Sequence, residues 1–375
     1  MLYYKKLEVT PNSTCENHLN SPTPAAFEKD ARLLAAQAWL NGLEPALASQ
    51  NWVVDPATLT PASSDASFRR YFRLRAAERG QATQLILMDA PPGLEDIQPF
   101  LVAGNILKQA GLQVPQVVAQ ETSLGFLLLG DLGTRTYLGE LSPQAPDAAS
   151  PLYQDAWRAL VRLQQHPTQV SLPAYDAAKL LQEMRLFDAW YVTRHLQVTL
   201  TPAETEMLQS MYQRILERCV SQTQVIVHRD YHSRNLMITQ ENNPGVLDFQ
   251  DAVIGPITYD LASLLRDAYI VWPEEVQLDW GIRYWQDARQ AGLAVPADFA
   301  DFWRDLEWMG LQRHLKVLGI FARLFHRDGK AGYLNDLPAV FGYADRVARR
   351  YVALAPLARL FYRLGQHQSA ATESR

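Results

Sequence analysis

The feature that most constrains this chain is a polar stretch clamped between apolar runs, Val225-Ile-Val-His-Arg-Asp-Tyr-His-Ser-Arg-Asn-Leu-Met-Ile238. Helical periodicity does not account for Val225 to Val227, Leu236 to Ile238 or Val246 to Leu247, so three brief strands are predicted within a region that otherwise reads as helix. Between the first two lie His228, Arg229, Asp230 and Asn235, spaced as H-R-D-x-x-x-x-N. Ten residues beyond Ile238, the strand in Gly245-Val-Leu-Asp-Phe-Gln250 ends at Asp248-Phe249, in the place of a D-F-G element.

Phosphoryl transfer demands such a set. An attacking hydroxyl needs a carboxylate to orient it and accept its proton, and the transferring group needs positive charge beside it. Asp230 is therefore the candidate catalytic residue. Asn235 and Asp248 are the candidate ligands of Mg²⁺, a hard cation that takes oxygen donors. Read singly, Asp230 would cap a turn and Asp248 would end a strand; the joint spacing favours chemistry. His232 reads as a histidine that shapes the loop through backbone contacts. Asp260, in Tyr259-Asp-Leu-Ala-Ser263, reads as a carboxylate at a helix start that anchors the loop.

With 375 residues, 48% of them hydrophobic and 20% charged, the chain is ordinary globular material with enough length for two lobes. Its net charge of -5 gives no basic surplus, which argues against nucleic acid or a lipid surface and for a small-molecule partner. Cys15 and Cys219 match no zinc or disulfide spacing and are expected to be reduced bystanders. No apolar run approaches the roughly 18 residues needed to span a bilayer, and the opening residues carry no signal-peptide core, so a cytoplasmic protein is expected.

Along the chain, residues 1–30 are polar and Pro-containing and predict a poorly ordered tail. Helical spacing over Ala31 to Leu47 precedes strand-like runs at Phe68 to Leu74, Leu85 to Asp89, Val114 to Val118 and Gly125 to Leu129, with a helix at Pro99 to Ala110 among them. Residues 31–130 thus read as a sheet-rich N-terminal lobe and 131–375 as a mainly helical C-terminal lobe. Helices are predicted at Leu152 to Gln164, Asp176 to His195, Thr201 to Cys219, Tyr259 to Tyr269 and Phe302 to Phe325. Thr201, Pro202 and Glu204 make a strong start signal for the third of these. The Ala-, Pro- and Ser-rich segment from Gly139 to Ser150 reads as a surface connection.

At the catalytic-loop residues the sequence resembles the aminoglycoside and choline phosphotransferase superfamily, in which a second His follows two residues after the Asp, as His232 follows Asp230. The fold this implies is α+β, a protein-kinase-like bilobal arrangement. More closely, Ser64-Asp-Ala-Ser-Phe-Arg-Arg-Tyr-Phe-Arg73, Met88-Asp-Ala-Pro-Pro92, Gly125-Phe-Leu-Leu-Leu-Gly-Asp-Leu-Gly-Thr-Arg-Thr-Tyr137 and Asp248-Phe-Gln-Asp-Ala252 are similar to the bacterial anomeric kinases of N-acetylmuramate and N-acetylglucosamine. The resemblance implies transfer of the ATP γ-phosphoryl group to an anomeric hydroxyl, giving a sugar 1-phosphate that a uridylyltransferase takes up in cell-wall recycling.

It also implies nucleotide contacts. The turn of Ser64, Asp65, Ala66 and Ser67 would cover the phosphates with backbone N–H groups, although Ser-Asp-Ala-Ser is also an ordinary turn. Leu127 and Leu129 would lie in a hinge strand whose backbone meets adenine, although an apolar strand is equally good core. The strand Lys that usually holds the α/β-phosphates is absent: Leu85-Ile-Leu-Met-Asp89 has Met88 near that position, so Arg73 or Arg70 from the preceding strand would substitute.

For the acceptor, Arg185, Asp188, Trp190, Asp267 and Trp272 offer polar groups and aromatic walls, each of which is also ordinary rim or core. Arg185, Arg313 or Arg323 would grip a carboxylate on the acceptor. Two other readings remain open at this point, a kinase for a different hydroxylated acceptor and a silent pseudokinase scaffold.

Overall fold

A computed structural model gives the structure of residues 30–64 and 68–373, with backbone only for 63, 64 and 367–373. The expected tail before Asp30, Cys15 within it, and the turn residues Asp65, Ala66 and Ser67 lie outside the described residues. The chain forms two compact units, residues 1–96 with 117–131, and 97–116 with 132–375.

The first unit is a five-stranded antiparallel sheet with two helices. α1 (Ala31–Gly42) and α2 (Glu44–Ser49) precede β1 (Trp52–Ser64), β2 (Arg70–Glu78) and β3 (Gln81–Asp89); β4 (Val117–Glu121) and β5 (Phe126–Gly130) complete it in the order β1-β2-β3-β5-β4. The single helix expected over Ala31 to Leu47 is thus two, with Pro45 in the first turn of α2, where its missing N–H costs nothing. β1 was not foreseen, because Asp55-Pro56 and Pro61 break strand patterning. Its edge position and two register shifts tolerate both prolines.

Strand alternation sorts the sheet into two faces. Phe72, Leu74, Leu85, Leu87, Phe126 and Leu128 pack with Leu33, Ala36 and Leu40 of α1 and with Trp52 into the core of this unit. Across the other face Tyr71 stands opposite Met88 and Met88 opposite Leu127, while Arg73 stands opposite Ile86 and Ile86 opposite Leu129. Gly125 enters β5 with φ +72°, and a Cβ there would sit 1.9 Å from the Ala90 carbonyl oxygen, so only glycine fits.

Charges in this unit pair with one another. Asp89, buried at 1% exposure, accepts from Arg32 Nη2 and Arg70 Nη2, each at 2.5 Å. Arg70 also pairs with Asp30, the N-cap of α1. Arg73 Nε donates to Asp131 Oδ2 at 2.5 Å.

The second unit is mainly helical. α3 (Gln98–Gln109), which the sequence order assigns to the sheet lobe, packs here: Phe100 meets Phe249 with centroids 4.6 Å apart, and a Cβ on Gly104 would come within 3.0 Å of that ring. α4 (Tyr137–Glu140) and α5 (Pro146–Gln165) follow, the latter beginning inside the expected surface connection. α6 (Ala177–Leu186) continues into a π-helix over Phe187–His195, where one regular helix was expected. The start of α7 (Pro202–Val220) is a complete capping box: Thr201 N donates to Glu204 Oε2 at 2.9 Å and Glu204 N to Thr201 Oγ1 at 3.2 Å.

Two short strand pairs follow, β6 (Gln224–Val227) with β9 (Val253–Pro256) and β7 (Leu236–Met237) with β8 (Gly245–Val246). α8 (Tyr259–Leu265) is shorter than expected, and α9 (Glu274–Gln290), α11 (Leu337–Arg350) and α12 (Ala355–Glu373) are helices that periodicity had not supplied. The organising element is α10 (Phe299–Asp328), which is buried on all sides over its middle turns. It crosses the end of α6 so closely that a Cβ on Gly319 would lie 2.3 Å from the Leu186 carbonyl carbon. Among the described residues no helix is long and apolar enough to cross a membrane.

Candidate active site

The loop from His228 to Asn235 leaves β6 and enters β7, and its conformation is held by side chains from elsewhere in the second unit. Arg229 has φ +79°, a left-handed value unfavourable for a side chain of this size. Asp260, at the first turn of α8, accepts from His228 N at 2.6 Å and Arg229 N at 2.9 Å and so secures that bend. Burial pushes the Asp260 carboxyl up, to about 7, against these two bonds. Asp267 fastens the middle of the loop, its Oδ2 accepting from Ser233 N at 3.0 Å and Ser233 Oγ at 2.5 Å.

His228 joins the two halves of the motif. Its Nδ1 accepts from Asp230 N at 3.2 Å, and its Nε2 donates to the Leu247 carbonyl at 2.9 Å, which assigns the proton to Nε2. Burial holds this imidazole down at about 4 despite the neighbouring Asp230. Leu247 N in turn donates to the Asn235 carbonyl at 2.9 Å, so the strand leading to Asp248 is laced to the loop.

Asp230 is half-buried. Burial pushes its carboxyl up, but the positive charges of Lys316, His232, Arg313 and Arg229 outweigh that and hold it at about 2. It is an ionised carboxylate throughout the physiological range. Asn235 Nδ2 donates to the Asp230 carbonyl at 3.0 Å and to Asp248 Oδ2 at 3.3 Å, which brings the two expected metal ligands together. Asp248 has φ +61°, and its Oδ1 accepts from Gln250 Nε2 at 2.6 Å. An amide oxygen and a carboxylate suit a hard divalent cation, which would take its other ligands from phosphate and water. Among the described residues no group of three or more His, Cys, Asp and Glu is gathered for a softer ion.

Behind the loop lies a buried ionic network. Glu183 of α6 accepts from Arg229 Nη2 at 2.6 Å, lies 3.3 Å from Lys316 Nζ and accepts from the Tyr175 hydroxyl. Lys316 Nζ also donates to the Tyr259 hydroxyl at 3.0 Å. Burial pulls this ammonium down, yet Tyr259, Glu183 and Asp230 more than compensate and hold it above its ordinary value. Sequence reasoning missed Glu183 and Lys316. The available signal was that Arg313 and Lys316 bring two cations, three residues apart, to a helix whose middle turns are buried on every side.

The expected acceptor residues are dispersed. Asp188 accepts from the Tyr212 hydroxyl at 3.0 Å, its carboxyl raised by burial, and Trp190 packs half-buried against the main core. Arg185 is exposed on α6 and Arg323 half-buried on α10. Trp272 is buried at 1% exposure, edge-on to Tyr153 and Trp280, with Nε1 donating to the Tyr153 hydroxyl at 2.6 Å. It packs within an aromatic group of the core. Asp267 is likewise engaged, its Oδ1 accepting from Tyr269 N at 3.0 Å. On the sheet unit Ser64 ends β1 opposite Arg70, and Arg73, Leu127 and Leu129 share one face with Met88.

Comparisons with known proteins agree with this arrangement. Residues 58–302 match APH, the phosphotransferase enzyme family. An N-acetylmuramate/N-acetylglucosamine kinase of Pseudomonas putida is 46% identical over 339 residues, which cover 90% of this chain and 98% of that protein. One of Neisseria meningitidis is 47% identical over 307 residues, covering 82% and 90%. In fold, a choline kinase of Streptococcus pneumoniae superposes with a TM-score of 0.57 at 10% identity, covering 83% of this chain and 99% of that one. By the extent of the family match and the identity to these relatives, the chain belongs to the phosphotransferase enzyme family.

Proposed function

We propose that this enzyme transfers the γ-phosphoryl group of ATP to the anomeric hydroxyl of N-acetylmuramate and N-acetylglucosamine, in the cytoplasm, supplying 1-phosphates to a uridylyltransferase step of peptidoglycan recycling. The observation that carries the reading is 46% identity to the Pseudomonas putida kinase over 98% of its length, with Asp230, Asn235 and Asp248 all in place.

In this mechanism Asp230 accepts a hydrogen bond from the acceptor hydroxyl, aims its oxygen at the phosphorus and takes the proton as the new bond forms. A carboxyl held at about 2 is a weak base, so its main contribution is orientation, with proton uptake late in a loose transition state. Asn235 and Asp248 would hold Mg²⁺, which supplies positive charge to the phosphate oxygens when bound. The nucleotide would lie on the sheet face that carries Arg73, Leu127 and Leu129, and the segment of Ser64, Asp65, Ala66 and Ser67 would contact its phosphates. Arg73 already has Asp131 as a partner, so it would meet phosphate as half of an ion pair.

The test is incubation of the protein with ATP, Mg²⁺ and, separately, each N-acetyl sugar and an aminoglycoside, followed by ³¹P NMR. An anomeric phosphate on the N-acetyl sugars is expected. Phosphorylation of the aminoglycoside alone would keep the phosphotransferase chemistry and overturn the acceptor.

A further inference from the structure

We infer that Arg313, with His232 beside it, forms a carboxylate-recognising subsite next to Asp230, and that this subsite selects the acid-bearing acceptor over its neutral counterpart. The inference rests on the acceptor reading just given and assigns to one residue the difference between its two sugars. N-acetylmuramate differs from N-acetylglucosamine by a lactyl ether ending in a carboxylate, so recognition of the acid needs a cation that the neutral sugar leaves unused.

Arg313 is 3% exposed on α10, and its Nη1 has no hydrogen-bond partner among the described residues. A buried guanidinium without an anion is costly unless something supplies one. The surrounding carboxylates are already committed. Both oxygens of Asp260 accept the N–H groups of His228 and Arg229. Asp267 is occupied by Ser233 and Tyr269. Glu183 is taken by Arg229, Lys316 and Tyr175. Lys316, one turn further along the same face of α10, is satisfied by Tyr259 and Glu183. Among the described residues Arg313 forms an ion pair with none of these, and Asp230, one of the carboxylates on which its charge acts, is the group that meets the acceptor hydroxyl.

A second unpartnered group stands beside it. His232 is 9% exposed, and its Nδ1 has no hydrogen-bond partner among the described residues. Its ring stands edge-on to Tyr269 at 5.3 Å, and the Arg234 guanidinium lies 3.6 Å over the same tyrosine. Tyr269 is half-buried and Arg234 exposed, so His232 lies one ring from solvent. Lys316, one turn along α10, meets Glu183, which holds Arg229 of the loop, so Arg313 lies on the face of α10 turned to the loop that carries His232 and Asp230. A carboxylate here would take two hydrogen bonds from the fork and one from the imidazole, and would fix the sugar's orientation against Asp230.

The test compares substrates and enzyme variants by steady-state kinetics. With the unaltered protein, N-acetylmuramate and its neutral carboxamide are compared; the amide should show a KM about 10- to 100-fold higher with kcat within a few-fold. Arg313→Gln should raise the ratio of KM for N-acetylmuramate to KM for N-acetylglucosamine by a similar factor, with Arg313→Lys intermediate. Equal KM values for acid and amide overturn the inference without recourse to any variant. So does an Arg313→Gln enzyme, folded by circular dichroism, that loses kcat equally on both sugars, since that would make the arginine a stabiliser of the transferring phosphoryl group. If the unaltered protein phosphorylates neither sugar, the acceptor reading itself fails and this inference with it.

Discussion

The two units handle buried charge differently. In the sheet unit Asp89 is gripped by Arg32 and Arg70, and Arg73 by Asp131, so these charges fix one strand or helix to another. In the helical unit the charges around Asp230 are fastened only in part: Glu183, Lys316 and Asp260 are saturated, while Arg313 and His232 keep unpartnered atoms. Saturated charge builds a fold, and a cation held dry without its anion leaves recognition to be completed from outside.

Substitutions can break that comparison, and the strongest test is Asp230→Asn. It should lower kcat about 10³-fold with ATP binding nearly unchanged and a modest loss of thermal stability, because the surrounding cations lose their counter-charge while Asp260 and Asp267 still hold the loop. Turnover within tenfold of the unaltered enzyme would remove Asp230 from the chemistry.

Gly125→Ala reports on the sheet unit. It should cost about 2–4 kcal/mol in urea denaturation, from a left-handed backbone and a Cβ driven into the Ala90 carbonyl. A loss below about 0.5 kcal/mol would mean the turn adapts freely.

His228 gives a pH signature. The unfolded imidazole protonates near 6.5 and the folded one only near 4, so protons favour the unfolded chain as the pH falls. Stability conferred by the neutral ring is complete above about pH 6.5 and is lost on acidification toward 4, by about 2 kcal/mol at pH 5. Denaturant melts at pH 8 and pH 5 should show this decrement in the unaltered protein and lack it in His228→Asn.

The smallest effect is expected from Arg73→Gln. If Arg73 meets phosphate, KM for ATP should rise about 3- to 10-fold with kcat preserved; a stability change alone would make its pair with Asp131 purely structural.

What could be read from sequence divides along the same line. The gathering of Asp230, Asn235 and Asp248 was legible because the loop, the proposed metal ligands and the flanking strands lie within one short segment. The capping box at Thr201 was legible for the same local reason. β1 was hidden by prolines that only an edge strand tolerates, and the π-helix by a periodicity ordinary helix shares until Gly319 presses against Leu186. The roles of Glu183 and Lys316 depend on α6 and α10 meeting behind a loop distant from both in sequence, which no local pattern encodes. Trp272 shows what sequence leaves open, since an indole near such a loop reads equally as wall or core, and only the structure shows that it is buried.

The contact between Arg229 and Glu183 has a consequence for control. In kinases whose activity is switched by modification, the loop is ordered when an added phosphate supplies an anion to an arginine. Here the anion is a permanent side chain, buried at 7% exposure and 2.6 Å from its guanidinium. The arginine of this loop needs no added anion, so the contact that orders it is complete as soon as the chain folds.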